Sequence, residues 1–304
     1  MRKKYLLLLL LLGCGKNPFA PQSLSGPIYF SVTVGDYSQI HSIDVDGNGL
    51  IQLTTSAISK HRPRWSRDGG RILFTGLSRR TNIHFLPVII SDEIGRNERT
   101  VLEHGIRPVF SPGGDRIAFS YESQLPGFGG DYDIFIYDLS KEIATPILPD
   151  PDSSDTVADW SPDGRYLLVH ESGTFFDPTL VYLFDLVDHT KTRYTDSGIS
   201  MSGRFSPDGQ MIAFLHRERN ELEETIYVQD IYNNREKTKV VKLDSTKLVS
   251  LAWSPDGSQI VFSGSKVTPT EFKDGVVYSI NRDGSKLRQI YTNPTLSQAL
   301  DWRW

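Results

Sequence analysis

Eight residues of this 304-residue sequence combine types that could do chemistry together: His61, Arg62, Arg64, His104, Arg107, Asp159, Arg204 and Asp301. An arginine presents a planar fork of N–H donors that matches a carboxylate or a sugar acid, so four converging on one spot would hold an anion. Histidine beside a carboxylate or arginine there would add the acid–base pair that a saccharide lyase or glycosidase needs. The competing reading is structural, with Arg64, Asp159, Arg204 and Asp301 pairing as salt bridges and the two aspartates cancelling part of the positive field. Other chemistries find no pattern. The seven histidines show no His-Glu-x-x-His or similar zinc spacing, and no Gly-x-Ser-x-Gly nucleophile elbow or Gly-rich phosphate loop occurs. No catalytic residue is assigned.

What these side chains can do depends on the elements that bring them together, and a repeat supplies those elements. An aromatic followed by Ser-Pro-Asp-Gly or a variant recurs at Trp65-Ser66-Arg67-Asp68-Gly69, Phe110-Ser111-Pro112-Gly113-Gly114, Trp160-Ser161-Pro162-Asp163-Gly164, Phe205-Ser206-Pro207-Asp208-Gly209 and Trp253-Ser254-Pro255-Asp256-Gly257. Trp302 is a sixth anchor, and successive anchors lie 45, 50, 45, 48 and 49 residues apart. That interval suits one four-stranded propeller blade. Proline presets φ in a tight turn and glycine takes the positive φ that follows, so each copy predicts a hairpin between a strand a carrying the aromatic and a strand b. Alternating runs such as Ile72-Leu73-Phe74 and Ile260-Val261-Phe262 follow as strand b. Strand c ends at Asp138, Asp185, Asp230 or Asn281, and a short polar strand d comes after it. In the first full repeat Pro87 interrupts the segment where strand c is due.

The ends set the blade count. Ahead of Trp65 lie a strand b (Ile28 to Ser31), a strand c (His41 to Asp44) and a strand d (Leu50 to Thr54), but no strand a; around Ala299 to Trp302 lies a strand a alone. The expectation is an all-β, six-bladed β-propeller of four-stranded antiparallel blades over 28–304, its last blade shared between the two terminal segments. Such closure removes free sheet edges.

The aromatic-Ser-Pro-Asp-Gly hairpin, the Ile-x-Phe strand after it and the later strand ending in Asp resemble the propeller repeat of the TolB family, and relatives of prolyl oligopeptidase and tricorn-type proteases carry similar repeats. The resemblance covers residues 28 to 304 and speaks for the fold far more than for a function. TolB proteins carry an additional α/β domain before the propeller, and the oligopeptidase relatives a hydrolase domain; neither is expected here.

The first 13 residues read as a signal peptide, with Arg2-Lys3-Lys4 ahead of an apolar run from Tyr5 to Leu12. That run falls short of the ~20 residues a membrane-spanning helix requires. Leu11-Leu12-Gly13-Cys14 resembles the lipobox of bacterial lipoproteins, which implies acylation of Cys14, the only cysteine of the chain. Residues 14–27, rich in Gly, Pro, Ser and Asn, read as a flexible tether. Gly15, where an aspartate would signal inner-membrane retention, favours the outer membrane facing the periplasm. Without Arg2, Lys3 and Lys4 the chain holds 30 basic against 37 acidic residues, a net charge of −7, which argues against nucleic acid as a partner.

Two features remain. Asp44-Val45-Asp46-Gly47-Asn48-Gly49 resembles half of a calcium loop, but Thr55 stands where a bidentate Glu is needed and the equivalent Asn281-Arg282-Asp283-Gly284 holds an arginine, so a c–d turn is preferred and no cofactor is expected. The b–c connections are long and individual and carry Phe128, Phe175, Phe176 and Phe272. Each phenylalanine either anchors a partner or tucks over its own blade. Taken together, these readings describe a monomeric, envelope-anchored, non-enzymatic propeller that binds a protein or peptide partner through its long-loop face; the alternative is a saccharide-active lyase or glycosidase with its site at the channel mouth.

Overall fold

The computed structural model describes residues 26–77, 86–122, 132–148, 154–172, 179–232, 236–267, 272–293 and 296–303, with no helix among them. Cys14, Phe128, Phe175 and Phe176 lie outside the described residues. The described chain opens with β1 (Ile28–Val34), β2 (Tyr37–Ile43) and the two-residue β3 (Ile51–Gln52). Blade one is β4 (Ser59–Trp65), β5 (Arg71–Leu77), β6 (Val88–Asp92) and β7 (Arg99–Leu102). Blade two is β8 (Ile106–Phe110), β9 (Arg116–Glu122), β10 (Tyr132–Asp138) and β11 (Ile143–Leu148). Blade three is β12 (Ser154–Trp160), β13 (Tyr166–Ser172), β14 (Thr179–Asp185) and β15 (Lys191–Arg193). Blade four is β16 (Ile199–Phe205), β17 (Met211–Arg217), β18 (Thr225–Asp230) and β19 (Lys237–Lys242). Blade five is β20 (Thr246–Trp253), β21 (Gln259–Val267), β22 (Phe272–Asn281) and β23 (Arg288–Asn293). Then β24 (Leu296–Trp302) pairs antiparallel with β1, Trp302 opposite Ile28 and Asp301 opposite Tyr29, which completes a sixth blade in the order β24-β1-β2-β3.

Blades three and four are linked by a single parallel pair, Thr179 opposite Ile199. The innermost strands touch in a closed cycle, β4 to β8 to β12 to β16 to β20 to β24 and back to β4, and that cycle is the wall of a central channel. The fold is a six-bladed propeller closed by its own terminal segments.

Each a–b turn is held by its own side chains. Ser66 Oγ donates to Asp68 Oδ1 at 2.5 Å and accepts the Arg71 N–H at 2.9 Å, while the Gly69 N–H closes on the Ser66 carbonyl with φ of +70°. Ser161 with Asp163, Ser206 with Asp208 and Ser254 with Asp256 repeat this arrangement. Blade two, where Gly113 replaces the aspartate, uses Asp115 instead at 2.8 Å. These serines and aspartates are occupied as turn formers.

The core lies between blades rather than within one layer. Its six apolar clusters each straddle two consecutive blades, and each anchor aromatic is wedged against the blade before its own. Phe110 packs with Leu73 and Val88 of blade one, Trp160 with Val109 and Ile134 of blade two, and Trp302 with Ala252, Val261 and Val277 of blade five. This explains why the repeat demands a large aromatic at that position: a side chain of such area is needed to seal the seam.

Several boundaries differ from the sequence reading. Strand c of blade one is present and begins directly after Pro87, at Val88. Strand d of the shared blade has two residues, not the five from Leu50 to Thr54. Phe272, assigned from sequence to a long loop between Gly264 and Gly275, lies in β22, with Val267 opposite Phe272 and Ser265 opposite Gly275. Gly264 is not a turn residue; a Cβ there would meet Thr246 Cγ2 at 3.0 Å and Leu248 Cδ2 at 3.1 Å, so the glycine serves strand packing and the hairpin arms continue past it. The Asp44–Gly49 segment forms the c–d turn, and both carboxylate oxygens of Asp46 accept from Asn48, at 3.0 and 2.8 Å.

Candidate functional site

Every blade contributes one innermost strand to the channel, and two levels of side chains follow from the position relative to the anchor aromatic. The lower level, one residue before the anchor, reads Arg64, Val109, Asp159, Arg204, Ala252 and Asp301 around the ring. The upper level, three residues before it in blades one to five, holds Arg62, Arg107, Val157, Ser202 and Ser250. In blade five a β-bulge lies ahead of both levels, between Leu248 and Ser250, whereas in the innermost strands of blades one to four it separates them. At that bulge Arg62, Arg107 and Ser202 adopt φ of +56°, +52° and +54°, a left-handed conformation that turns their side chains away from the ladder.

The lower level is charge-neutral, and each of its four charged side chains is hydrogen-bonded. Arg64 Nη2 donates to Asp159 Oδ1 at 2.9 Å and to the Ala158 carbonyl at 2.7 Å, and Arg64 Nη1 stands 3.8 Å from Asp301 Oδ1. Each aspartate also latches the next blade: Asp301 Oδ2 accepts the Trp65 N–H and Asp159 Oδ2 accepts the Phe205 N–H, both at 2.9 Å. Arg204 Nη1 donates to the carbonyls of Ala158 and Gly203, both at 2.9 Å. These four residues therefore include the structural salt bridges weighed from the sequence. Burial raises the Asp301 carboxyl above its usual range, against the opposing pull of Arg64 and Arg204.

The upper level is different. Arg62 and Arg107 make no hydrogen bond or ion pair with any described residue. Burial first, then the charges of Arg62 and Arg204, bring Arg107 down to about 9; burial and Arg64 bring Arg204 to about 9 as well. Both remain cationic at neutral pH.

Below the lower level the mouth is bridged. Arg67, standing where the other turns have proline, reaches across the axis and donates from Nη1 to the Pro162 carbonyl at 3.1 Å and from Nη2 to the Pro207 carbonyl at 3.2 Å. Blade one is thereby tied to the turns of blades three and four. The channel is cut into small spaces: one of about 30 Å³ lined by Arg62, Arg64, Arg107, Ser202 and Arg204, and one of about 70 Å³ lined by Arg64, Asp159, Arg204, Trp253 and Asp301. Neither approaches the 300 Å³ or more of a typical small-molecule site.

His61 and His104 do not line these spaces; the His104 ring lies 6.4 Å from Tyr121 of blade two. The sequence reading brought together a channel set that the structure keeps only for Arg62, Arg64, Arg107, Asp159, Arg204 and Asp301. It gave no role to His170, a buried residue of β13 whose Nε2 accepts the Gly203 N–H at 3.3 Å. Burial holds His170 well below its ordinary value, and Arg107, Arg204 and Arg62 push in the same direction. It also passed over a Ser200–His216–Glu218 relay, with Ser200 Oγ 2.8 Å from His216 Nδ1 and His216 Nε2 3.2 Å from Glu218 Oε1. Ser200 is 0% exposed, so this relay ties strands together and offers no nucleophile to a substrate. The pairing of Ser200 with His216 across β16 and β17 was the only signal, and it emerges once the register is known.

His170 yields a pH prediction. In the unfolded chain it takes up a proton near pH 6.5, while in the fold it stays neutral, so stability is present above that pH and is lost progressively as pH falls below it. His41 and His61, also lowered by burial, act in the same sense. Urea midpoints measured from pH 7.5 to 5 fall for the parent chain, and His170→Asn flattens that slope. An unchanged slope would place the titration elsewhere.

No protein-family model matches the sequence, nor does any curated protein. Solved structures do. TolB from Acinetobacter baumannii superposes with a TM-score of 0.74 at 21% identity, over 93% of this chain and 67% of that one. A protein from Agrobacterium tumefaciens assigned as TolB gives 0.68 at 16% identity, over 90% of this chain and 92% of its own. The fold is a TolB-like β-propeller. A manganese-bound oligogalacturonate lyase also shares this architecture, with a TM-score of 0.59 at 13% identity, over 87% of this chain and 73% of that one. The manganese belongs to that lyase: among the described residues of the TolB-like chain, no three His, Cys, Asp or Glu side chains converge as a metal site needs. Nor is any helix of the described residues long and apolar enough to cross a membrane.

Proposed function

We propose that this chain is a non-enzymatic binding propeller of the bacterial cell envelope, anchored by lipid on Cys14 and meeting a protein or peptide partner on one face. The observation that carries this reading is the Arg67 bridge. It spans the mouth on the face of the a–b and c–d turns, while Arg62 at the other end of the channel is exposed, which supports the face of the b–c and d–a connections as the one from which the channel is approached. That face also carries the long individual connections, where binding usually resides on a rigid scaffold. The two channel carboxylates hold neighbouring blades together and are not free to act as acid and base. Gly15 after the modified cysteine favours the outer membrane, facing the periplasm.

The test compares the two faces in living cells. Leu222, in the b–c connection of blade four, is 87% exposed, and Val187, in the c–d connection of blade three, is 69% exposed, so both are open to a photo-crosslinking residue. Discrete adducts from position 222 and none from 187 are expected; the reverse pattern, or silence at both, refutes the proposed face. In the same cells Cys14→Ser releases the protein from the membrane fraction and removes the lipid mass from its N-terminal peptide. Retention of that variant in the membrane refutes the anchor.

A further inference from the structure

We infer that the upper level of the channel is a binding site for one small oxyanion, clamped between the guanidinium groups of Arg62 and Arg107 with Arg204 beneath it. This inference stands apart from the partner reading, since it concerns a site within the propeller itself. Three observations converge on it.

The first is charge. Two arginines and two aspartates balance at the lower level, whereas Arg62 and Arg107 add two positive charges above with no carboxylate among the described residues to meet them. Arg62 is exposed at the rim and Arg107 is half-buried, so these neighbouring like charges repel one another and lower the stability of the empty site, and a bound anion reverses both effects. The second is geometry. The two arginines occupy equivalent places in adjacent blades, each turned out of its strand by a bulge at positive φ, and both line the same space as Arg204. Arg204 Nε is moreover buried without a hydrogen-bond partner among the described residues. A guanidinium with an unused N–H beside two unpaired guanidinium groups is a donor set that lacks only its acceptor.

The third is size. A space of about 30 Å³ admits roughly two or three water-sized spheres. A carboxylate or phosphate group fits such a volume, but a sugar ring does not. The ligand chemistry is therefore a single oxyanionic group, either a free solute such as phosphate or the carboxylate of an acidic side chain inserted from the open face.

Purified propeller is titrated with sodium phosphate and sodium acetate, with sodium chloride at matched ionic strength as the control, and thermal unfolding and calorimetric binding are recorded. An oxyanion at about a hundredfold excess over its Kd raises Tm by about 5 °C, more than chloride does. The double variant Arg62→Gln, Arg107→Gln loses that rise. It also unfolds at a higher temperature than the parent in anion-free, low-salt buffer, because repulsion has been removed. A merely structural role for these arginines predicts the opposite sign. Equal shifts for parent and double variant, or chloride as effective as phosphate, overturn the site. Should the double variant fail to fold, Arg107→Gln alone is assayed by calorimetry, where a loss of at least tenfold in phosphate affinity supports the site and unchanged affinity overturns it.

Two blocked peptides, alike except for one central Glu or Gln, distinguish the sources. Tighter binding of the Glu peptide than of acetate, abolished by Arg107→Gln, identifies a partner side chain. Phosphate binding with no difference between the peptides identifies a free solute. The site holds in either case, and its result is independent of the crosslinking at position 222.

Discussion

Replacing Trp302 with alanine costs the propeller about 3–5 kcal/mol, the range for deleting a fully buried large aromatic. Trp302 is 1% exposed, packs against Ala252, Val261 and Val277 of blade five, and donates from Nε1 to the Gly26 carbonyl at 2.7 Å. Its position gives the loss a particular form. Within every other blade the four strands follow one another along the chain, but in the sixth the pairing of β24 with β1 joins the two terminal segments of the described propeller without any covalent continuity. Trp65→Ala removes a similar side chain from the seam between the sixth and first blades while leaving β24 packed on blade five. The two variants should thus lose comparable stability in urea yet differ in hydrogen exchange. In Trp302→Ala the amides of β24 and β1 exchange through a local opening well below the global unfolding energy, whereas in Trp65→Ala they stay protected up to it. Identical exchange patterns would mean that closure does not depend on this seam. Opening would also bare the edge of β1, and the Trp302 variant is expected to aggregate on heating sooner than its stability loss alone requires.

The architecture was legible because its determinants are local. Ser66, Ser161, Ser206 and Ser254 hold their turns through contacts two to five residues away, and such contacts leave a spacing that a reader can count. Sequence reading placed the first and last strands in one blade for the same reason, since an unpaired strand a and a blade without one are both visible as gaps in the repeat. What escaped depends on distant pairs. Arg67 shows in the sequence only as a missing proline, and its bonds to Pro162 and Pro207 exist because the ring sets blade one opposite those turns. The split of four arginines into an engaged pair and an unpartnered pair follows from the bulge between Arg62 and Arg64, whose φ no composition reveals. Phe272 was misassigned because Gly264 and Gly275 read as loop residues, whereas Gly264 is small to admit Thr246 and Leu248.

Asp159→Ala is expected to destabilise the fold by about 3–5 kcal/mol, as breaking one side of a buried ion pair does. The substitution strips Arg64 of its 2.9 Å partner and leaves the Phe205 N–H without its acceptor. Asp159→Asn keeps an oxygen for that N–H and should lose less, the difference between the two variants measuring the latch apart from the charge. Arg64→Met leaves Asp159 and Asp301 without the cation between them, and a double-mutant cycle with Asp159→Ala should show coupling of about 1–3 kcal/mol, since the two residues touch. The pH dependence gives an independent check through Asp301. Its carboxyl is raised by burial and lowered by Arg64, so removing Arg64 raises it further. A group whose folded-state value lies above its unfolded value stabilises the fold below the unfolded value and loses that contribution as pH rises through the folded one. The deficit of Arg64→Met should consequently be largest at pH 7 and shrink as the solution is acidified toward the raised range of Asp301. A deficit that is constant across this range, together with additive single variants, would show that blade one and blade three are not joined through the channel by these charges.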